Sequence, residues 1–124
     1  MHEVSVAQSI VSLVLEKAQE MDAKAVTEVT ISIGELSMIS TEQIVFWVDA
    51  FFKDSCGEGA RIKIEAVPGK VRCNSCNKIS NVAIVEDPET HFTLPVFRCR
   101  HCDSDDTSIC EGREMRVEKI RVEQ

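Results

Sequence analysis

The sequence predicts an α+β protein: a small three-stranded sheet with two helices, interrupted by an inserted cysteine-rich module. Three observations carry this. Apolar residues recur at helical spacing in two segments near the N-terminus. Three other segments alternate or cluster as strands do. Between the last two of those strands lie two C-x-x-C pairs, Cys73-Asn74-Ser75-Cys76 and Cys99-Arg100-His101-Cys102, with 22 residues between them.

The first helix is expected from about Val6 to Met21. Ala7, Val11, Val14, Ala18 and Met21 recur every three or four residues, and Ile10 and Leu15 widen the stripe. Ser5-Val6-Ala7-Gln8 reads as a capping box with Ser5 as N-cap, which would leave Met1-His2-Glu3 outside the helix ladder. Val29, Ile31 and Ile33 then alternate with Thr30 and Ser32, the pattern of a half-buried strand, and Gly34 ends it. A second helix should span about Thr41 to Asp54, opened by the capping box Ser40-Thr41-Glu42-Gln43. Its apolar face is Ile44, Val48, Phe51 and Phe52, and Gly57 and Gly59 close the segment.

Arg61 to Val67 reads as the second strand, with Ile62, Ile64 and Ala66 inward, and Pro68-Gly69 breaks it. The module follows, with Glu86-Asp87-Pro88-Glu89-Thr90 as its central turn. The last strand should run from about Arg113 to Val122. Its apolar residues change parity between Val117 and Ile120, so a bulge or bend is expected near Glu118-Lys119. The expected domains are a discontinuous α/β domain, 1–69 and 109–124, and an insert, 70–108.

Two residues between thiols let a tight turn aim both sulfurs at one point. Two such turns supply the thiolates of a tetrahedral Zn²⁺ site. The flanks repeat: Val71-Arg72-Cys73 matches Phe97-Arg98-Cys99, and a turn former, Asn77 or Asp103, follows each pair. Cys73, Cys76, Cys99 and Cys102 are thus the expected zinc ligands, with two knuckles facing each other across one ion. Four thiolates leave no open position, so the zinc is expected to be structural. An insert of this size is expected to be unfolded without it. His101, inside the second knuckle, is expected to turn outward.

No apolar run reaches the roughly 18–20 residues needed to span a bilayer, and no basic, apolar secretory leader is evident. A cytoplasmic protein without membrane partners is expected, in which paired cysteines favour metal over disulfide. The net charge of −7 argues against nucleic acid, because Arg72, Arg98 and Arg100 are only a local basic cluster. Cys56 and Cys110 are expected to be small buried or partly buried residues, Trp47 a core residue, and Asp103 to Asp106 a solvated turn.

Met1-His2-Glu3 is a second constellation. Initiator Met is removed before small residues, so Met1 is expected to stay. The α-amine, the His2 amide and imidazole, and the Glu3 carboxylate then fall within three residues. Nitrogen-rich planar donor sets suit Ni(II) or Cu(II). A histidine at position 2 is also what an ordinary frayed terminus presents, and spacing alone leaves both readings open.

These residues together resemble a family, the HypA (HybF) nickel metallochaperones of hydrogenase maturation. The resemblance is carried by Met1-His2-Glu3 ahead of the Ser5-containing helix and by Ile33-Gly34-Glu35-Leu36-Ser37. The two C-x-x-C pairs and Gly112-Arg113-Glu114-Met115-Arg116 complete it, and it covers essentially the whole chain. It implies a non-enzymatic carrier with a nickel domain and an inserted zinc domain. Ni(II) would be bound by Met1, His2 and Glu3 and zinc by the four cysteines. It further implies work with a HypB-type GTPase and delivery to the [NiFe] hydrogenase large subunit precursor. Where some relatives have an Asp associated with nickel, this chain has Ser40, with Glu42 nearby. His91 reads either as a loop histidine or as a further nickel ligand. Monomer, dimer and domain exchange are all open. Rival readings are a zinc-ribbon adaptor, a nucleic-acid-binding ribbon and a thiol oxidoreductase.

Overall fold

The computed structural model describes residues 3–91 and 93–124. In order, the elements are α1 (Glu3–Glu20), β1 (Ala25–Gly34), a 3-10 turn (Glu35–Ser37), α2 (Thr41–Phe51) and β2 (Arg61–Val67). There follow β3 (Lys70–Cys73), β4 (Ile79–Asn81), β5 (Ala83–Glu86), β6 (Thr93–Val96), β7 (Thr107–Glu111) and β8 (Met115–Glu123). The expected α+β class and element order are found. The chain forms two compact units. The first takes residues up to Ile33, Met38–Glu65 and Met115–Gln124; the second takes Gly34–Ser37 and Ala66–Glu114.

In the first unit, β1 is the centre of the sheet order β2-β1-β8. Val6, Ile10 and Val14 of α1, Ile44 and Val48 of α2 with the following Phe52, and Val29, Ile31 and Ile33 of β1 form one buried cluster. Periodicity alone locates this core. No helix among the described residues is long and apolar enough to cross a membrane.

Helix α1 starts earlier than the sequence suggests. Glu3 is already helical, and Ser5 lies inside the ladder, its carbonyl accepting from Ser9 Oγ at 3.1 Å. The expectation that Glu3 stands free of the helix is therefore corrected. A carboxylate in a first turn faces the positive end of the helix dipole. Glu3 Oε1 also accepts the Ser40 backbone N–H at 3.3 Å, a tertiary contact invisible in local sequence. The helix stops at Glu20, and Met21 is exposed rather than part of the buried stripe. At α2 the capping expectation holds: Ser40 Oγ accepts the Gln43 N–H at 3.4 Å. Such a cap stabilises a helix by about 1 kcal/mol. This helix ends at Phe51, with Phe52 as C-cap, rather than at Asp54.

Strand β1 is longer than its clean alternation, because Thr27 bulges between Val26 and Glu28. Glu118 bulges from β8 in the opposite sense, opposite Thr30 and Ile31, where the parity change predicts an irregularity. The first bulge shifts the antiparallel register by one residue and the second restores it. Thr30 and Ser32, expected on an open face, are buried. The Ser32 hydroxyl donates to Glu118 Oε1 at 2.9 Å, so the bulge supplies its partner. Ala66 of β2, expected inward, is exposed, whereas Ile62 and Ile64 pack against the core. The final strand begins at Met115 rather than Arg113.

Candidate metal centre

The second unit contains a sheet of order β4-β3-β7 and a separate ribbon of β5 and β6. Strand β3 ends on Cys73 and delivers it to the first knuckle. There the Cys73 N–H donates to the Lys78 carbonyl and the Asn77 N–H to the Cys73 carbonyl, both at 2.9 Å. The amides of Ser75 and Cys76 each point at Cys73 Sγ from 3.4 Å.

The second knuckle repeats this bond for bond. The Cys99 N–H donates to the Ser104 carbonyl and the Asp103 N–H to the Cys99 carbonyl, both at 3.0 Å. The amides of His101 and Cys102 lie 3.4 and 3.5 Å from Cys99 Sγ. Asn77 and Asp103 hold φ of 62° and 65°, a left-handed conformation that these two residue types adopt more readily than most. That is why a turn former follows each pair in the sequence.

The knuckles are tied together away from the sulfurs. Asn74 Nδ2 donates to Asp106 Oδ1 at 3.0 Å and Ser108 Oγ at 3.2 Å, and the Asn74 N–H donates to the Asp106 carbonyl at 2.9 Å. Arg98 Nε lies 3.1 Å from Asp105 Oδ1 and 3.8 Å from Asp103 Oδ1. The acidic run expected to be a solvated turn thus also closes the second knuckle. Arg98, one of the three arginines of the local basic cluster, is neutralised by its own neighbours. Sequence reasoning missed these contacts; the paired Arg72 and Arg98 flanks were their only trace.

The four ligand sulfurs lie within 4.8 Å of one another. Cys73 and Cys102 Sγ are 3.4 Å apart, and Cys76 and Cys99 Sγ 3.7 Å. A tetrahedron with Zn–S bonds of about 2.3 Å has edges of roughly 3.8 Å. The donor set and its spacing therefore fit one Zn²⁺. Such an ion would be coordinatively saturated, with no position for a substrate.

The thiols are already biased toward this role. The Cys76 N–H holds the Cys73 thiol down at about 6, from an ordinary 9, against the opposing effect of burial; the Ser75 N–H and the Cys102 and Cys76 thiols help. The amides of Cys102 and His101 likewise lower Cys99. Cys102 is pushed up to about 12: the Ser104 N–H favours its thiolate, but its hydrogen bond to Cys73, burial, and its bonds to Cys99 and Cys76 together outweigh that. A depressed thiol stabilises the folded chain fully above its unfolded value near 9. That contribution is lost as pH falls through about 6 at Cys73. Zinc binding must displace whatever protons the four thiols still hold.

The remaining candidates divide as follows. Met1 and His2 lie outside the described residues. Glu3 is placed by its contact with Ser40, as above. His91 sits at the tip of the β5–β6 turn at φ 61°, exposed, with Nδ1 3.4 Å from Glu86 Oε1, and is not among the clustered metal-ligating atoms. His101 is exposed, as expected. Cys56 packs partly buried against the first unit's core, but Cys110 is exposed, against expectation. Both are free thiols. Trp47 is half-buried beside the core, stacked on Phe51 with centroids 5.6 Å apart, its Nε1–H donating to Gln43 Oε1 at 3.2 Å.

A family model described as hydrogenase/urease nickel incorporation, metallochaperone, HypA matches residues 1–122. The chain belongs to the HypA family. Hydrogenase maturation factor HypA of Methanothermobacter thermautotrophicus is 36% identical over 123 residues, spanning 99% of this chain and 98% of that one. The factor of the same name from Azotobacter vinelandii is 34% identical over 123 residues, spanning 99% and 100%. The solution structure titled HypA protein shares 27% identity and superposes with a TM-score of 0.68 over 98% of this chain and 96% of that one. The Ni metallochaperone HypA from Helicobacter pylori, at 24% identity, shares the fold with a TM-score of 0.66 over 99% and 98%. HypA proteins are nickel-incorporation metallochaperones, so this member acts as a maturation factor and not as an enzyme.

Proposed function

We propose that this HypA-family protein accepts Ni(II) at its N-terminus and passes it to the large subunit precursor of [NiFe] hydrogenase. It does so in the cytoplasm, working with a HypB-type GTPase. The ligands are the Met1 amine, the His2 amide and imidazole, and Glu3. Zinc bound by Cys73, Cys76, Cys99 and Cys102 holds the 70–108 domain in shape, and residues 1–69 and 109–124 form the nickel domain. The observation that carries the reading is the family match running through Met1-His2-Glu3 and both cysteine pairs.

The contact between Glu3 and Ser40 supports it. Ser40 occupies the place of the nickel-associated Asp in some relatives, yet here it caps α2 and its N–H binds the Glu3 carboxylate. The start of α1 is thereby tied to the start of α2 through one of the proposed ligands. Transfer needs a chelate that gives up the ion when a partner offers better ligands.

Binding displaces protons from the amine, the amide and His2. Nickel affinity is therefore expected to fall as pH drops through the histidine range. Calorimetric titration of the zinc-loaded protein should give one Ni(II) per chain, lost in His2→Ala while zinc stays bound. Equal nickel binding by both proteins would refute the terminal site. His91→Ala belongs in the same series: unchanged binding there confines the ligand set to the terminus, and weakened binding adds the imidazole at the β5–β6 turn.

A further inference from the structure

Strands β5 and β6 form a sheet of two strands, with no third strand among the described residues. Such a ribbon is marginal in water by itself. This one also leaves Ile84, Val85, Leu94 and Val96 exposed, Val85 at 50% and Leu94 at 58%. The register pairs Val85 with Leu94 and Ala83 with Val96. Paired residues share a face, so Val85, Leu94 and Val96 make one apolar stripe.

Pro95 pairs with Ile84. A proline fits an edge strand where its nitrogen needs no partner, so this pair is one whose backbone groups turn outward. At Pro95 the outer edge of β6 has no N–H to offer. The outer edge of β5 presents the N–H and C=O groups of Ile84 and, two residues on, of Glu86. The turn beyond carries Glu86, Asp87 and Glu89, and residues 79–96 contain no lysine or arginine.

We propose that the outer edge of β5 is a strand-addition site for an extended segment of a partner protein in which apolar residues alternate with lysine or arginine. The β5 backbone supplies the hydrogen bonds, the Val85–Leu94–Val96 stripe receives the apolar side chains, and the carboxylates of the turn receive the cations. A second copy of the chain is a poorer occupant. Antiparallel pairing of two β5 edges would set each Glu86 against the apolar end of its neighbour, with no lysine or arginine to meet it and only its own His91 at 3.4 Å. The site stands apart from the nickel reading and would survive its failure.

The test uses the zinc-loaded full chain, isotopically labelled, with a short capped peptide of alternating lysine and valine as probe. The same peptide with glutamate in place of lysine is the control. Amide hydrogen exchange at Ile84 and Glu86 is expected to slow about tenfold with the lysine peptide and not with the glutamate peptide. A chain carrying both Val85→Ser and Leu94→Ser is expected to lose that protection while the buried Val71 amide stays protected, which shows the unit still folded. Equal binding of both peptides, protection elsewhere than β5, or no protection at saturating lysine peptide would overturn the proposal. So would self-association of the chain through β5 that excludes the peptide.

Discussion

Stripping zinc with a chelator, or replacing Cys99 by serine, is expected to unfold the second unit and leave the first standing. Structural zinc contributes on the order of 10–16 kcal/mol to small modules, as much as or more than a whole domain's usual net stability of about 5–15 kcal/mol. In the second unit, the only fully buried side chains among the described residues are Val71, Cys73 and Cys99, two of them in the sulfur cluster. The first unit buries its own cluster on α1, β1 and α2, and both α-helices lie within it. Far-ultraviolet helical signal should therefore persist through chelation, while amide exchange protection at Val71 collapses. Protection retained at Val71 in the metal-free protein would mean that the hydrogen-bonded knuckles suffice without the ion.

Gly34→Ala is expected to be the most damaging substitution of a single small residue, at about 3 kcal/mol or more. A Cβ at Gly34 would overlap the Gly112 carbonyl, which is backbone and has no rotamer to change. The two segments are also bonded there: the Gly34 N–H donates to the Glu114 carbonyl at 2.9 Å and the Leu36 N–H to the Gly112 carbonyl at 2.8 Å. Gly112→Ala combines two faults, a φ of 98° and a Cβ 2.5 Å from Gly69 Cα. Gly59 separates them, since its φ is 81° but nothing stands within 4 Å of its Cβ. Gly59→Ala should thus show only the backbone term, about 1–2 kcal/mol. Denaturant unfolding of the three variants checks the order; a Gly112→Ala variant no worse than Gly59→Ala would show that the glycine contact relaxes freely.

What could be read in the sequence was whatever chemistry or geometry keeps local. The knuckles were legible because a C-x-x-C turn is closed by its own amides and by the residue after it. The Glu118 bulge was legible because Val117 and Ile120 cannot share a face of a regular strand. The start of α1 was not: Ser5 offers a complete local cap, but the contact between Glu3 and Ser40 spans 37 residues and extends the helix past it. The early part of β1 was hidden by the bulge at Thr27, which breaks the alternation that marks a strand. Strands β3 to β7 were not separable within the insert, because their lengths follow the turns and the sulfur cluster rather than a repeating apolar pattern. The proposed terminal chelate rests only on a pattern of donor atoms in the sequence, Met1-His2-Glu3.

The paired bulges have a consequence for how this protein can change length. Thr27 and Glu118 are each one link more than the ladder between β1 and β8 requires, and Val26 and Val29, or Val117 and Ile120, keep their inward partners across the gap. Slack of this kind lets a residue be removed without turning the rest of the strand over. Deletion of Glu118 would straighten β8, costing Ser32 its hydrogen bond but leaving Ile31 opposite Val117 and Val29 opposite Ile120. Deletion of Ile31, a few ångströms away in the middle of the ladder, would flip every apolar side chain on one side of the cut into water. In a sheet with so few strands, the bulges are the spare joints at which insertions and deletions can be absorbed.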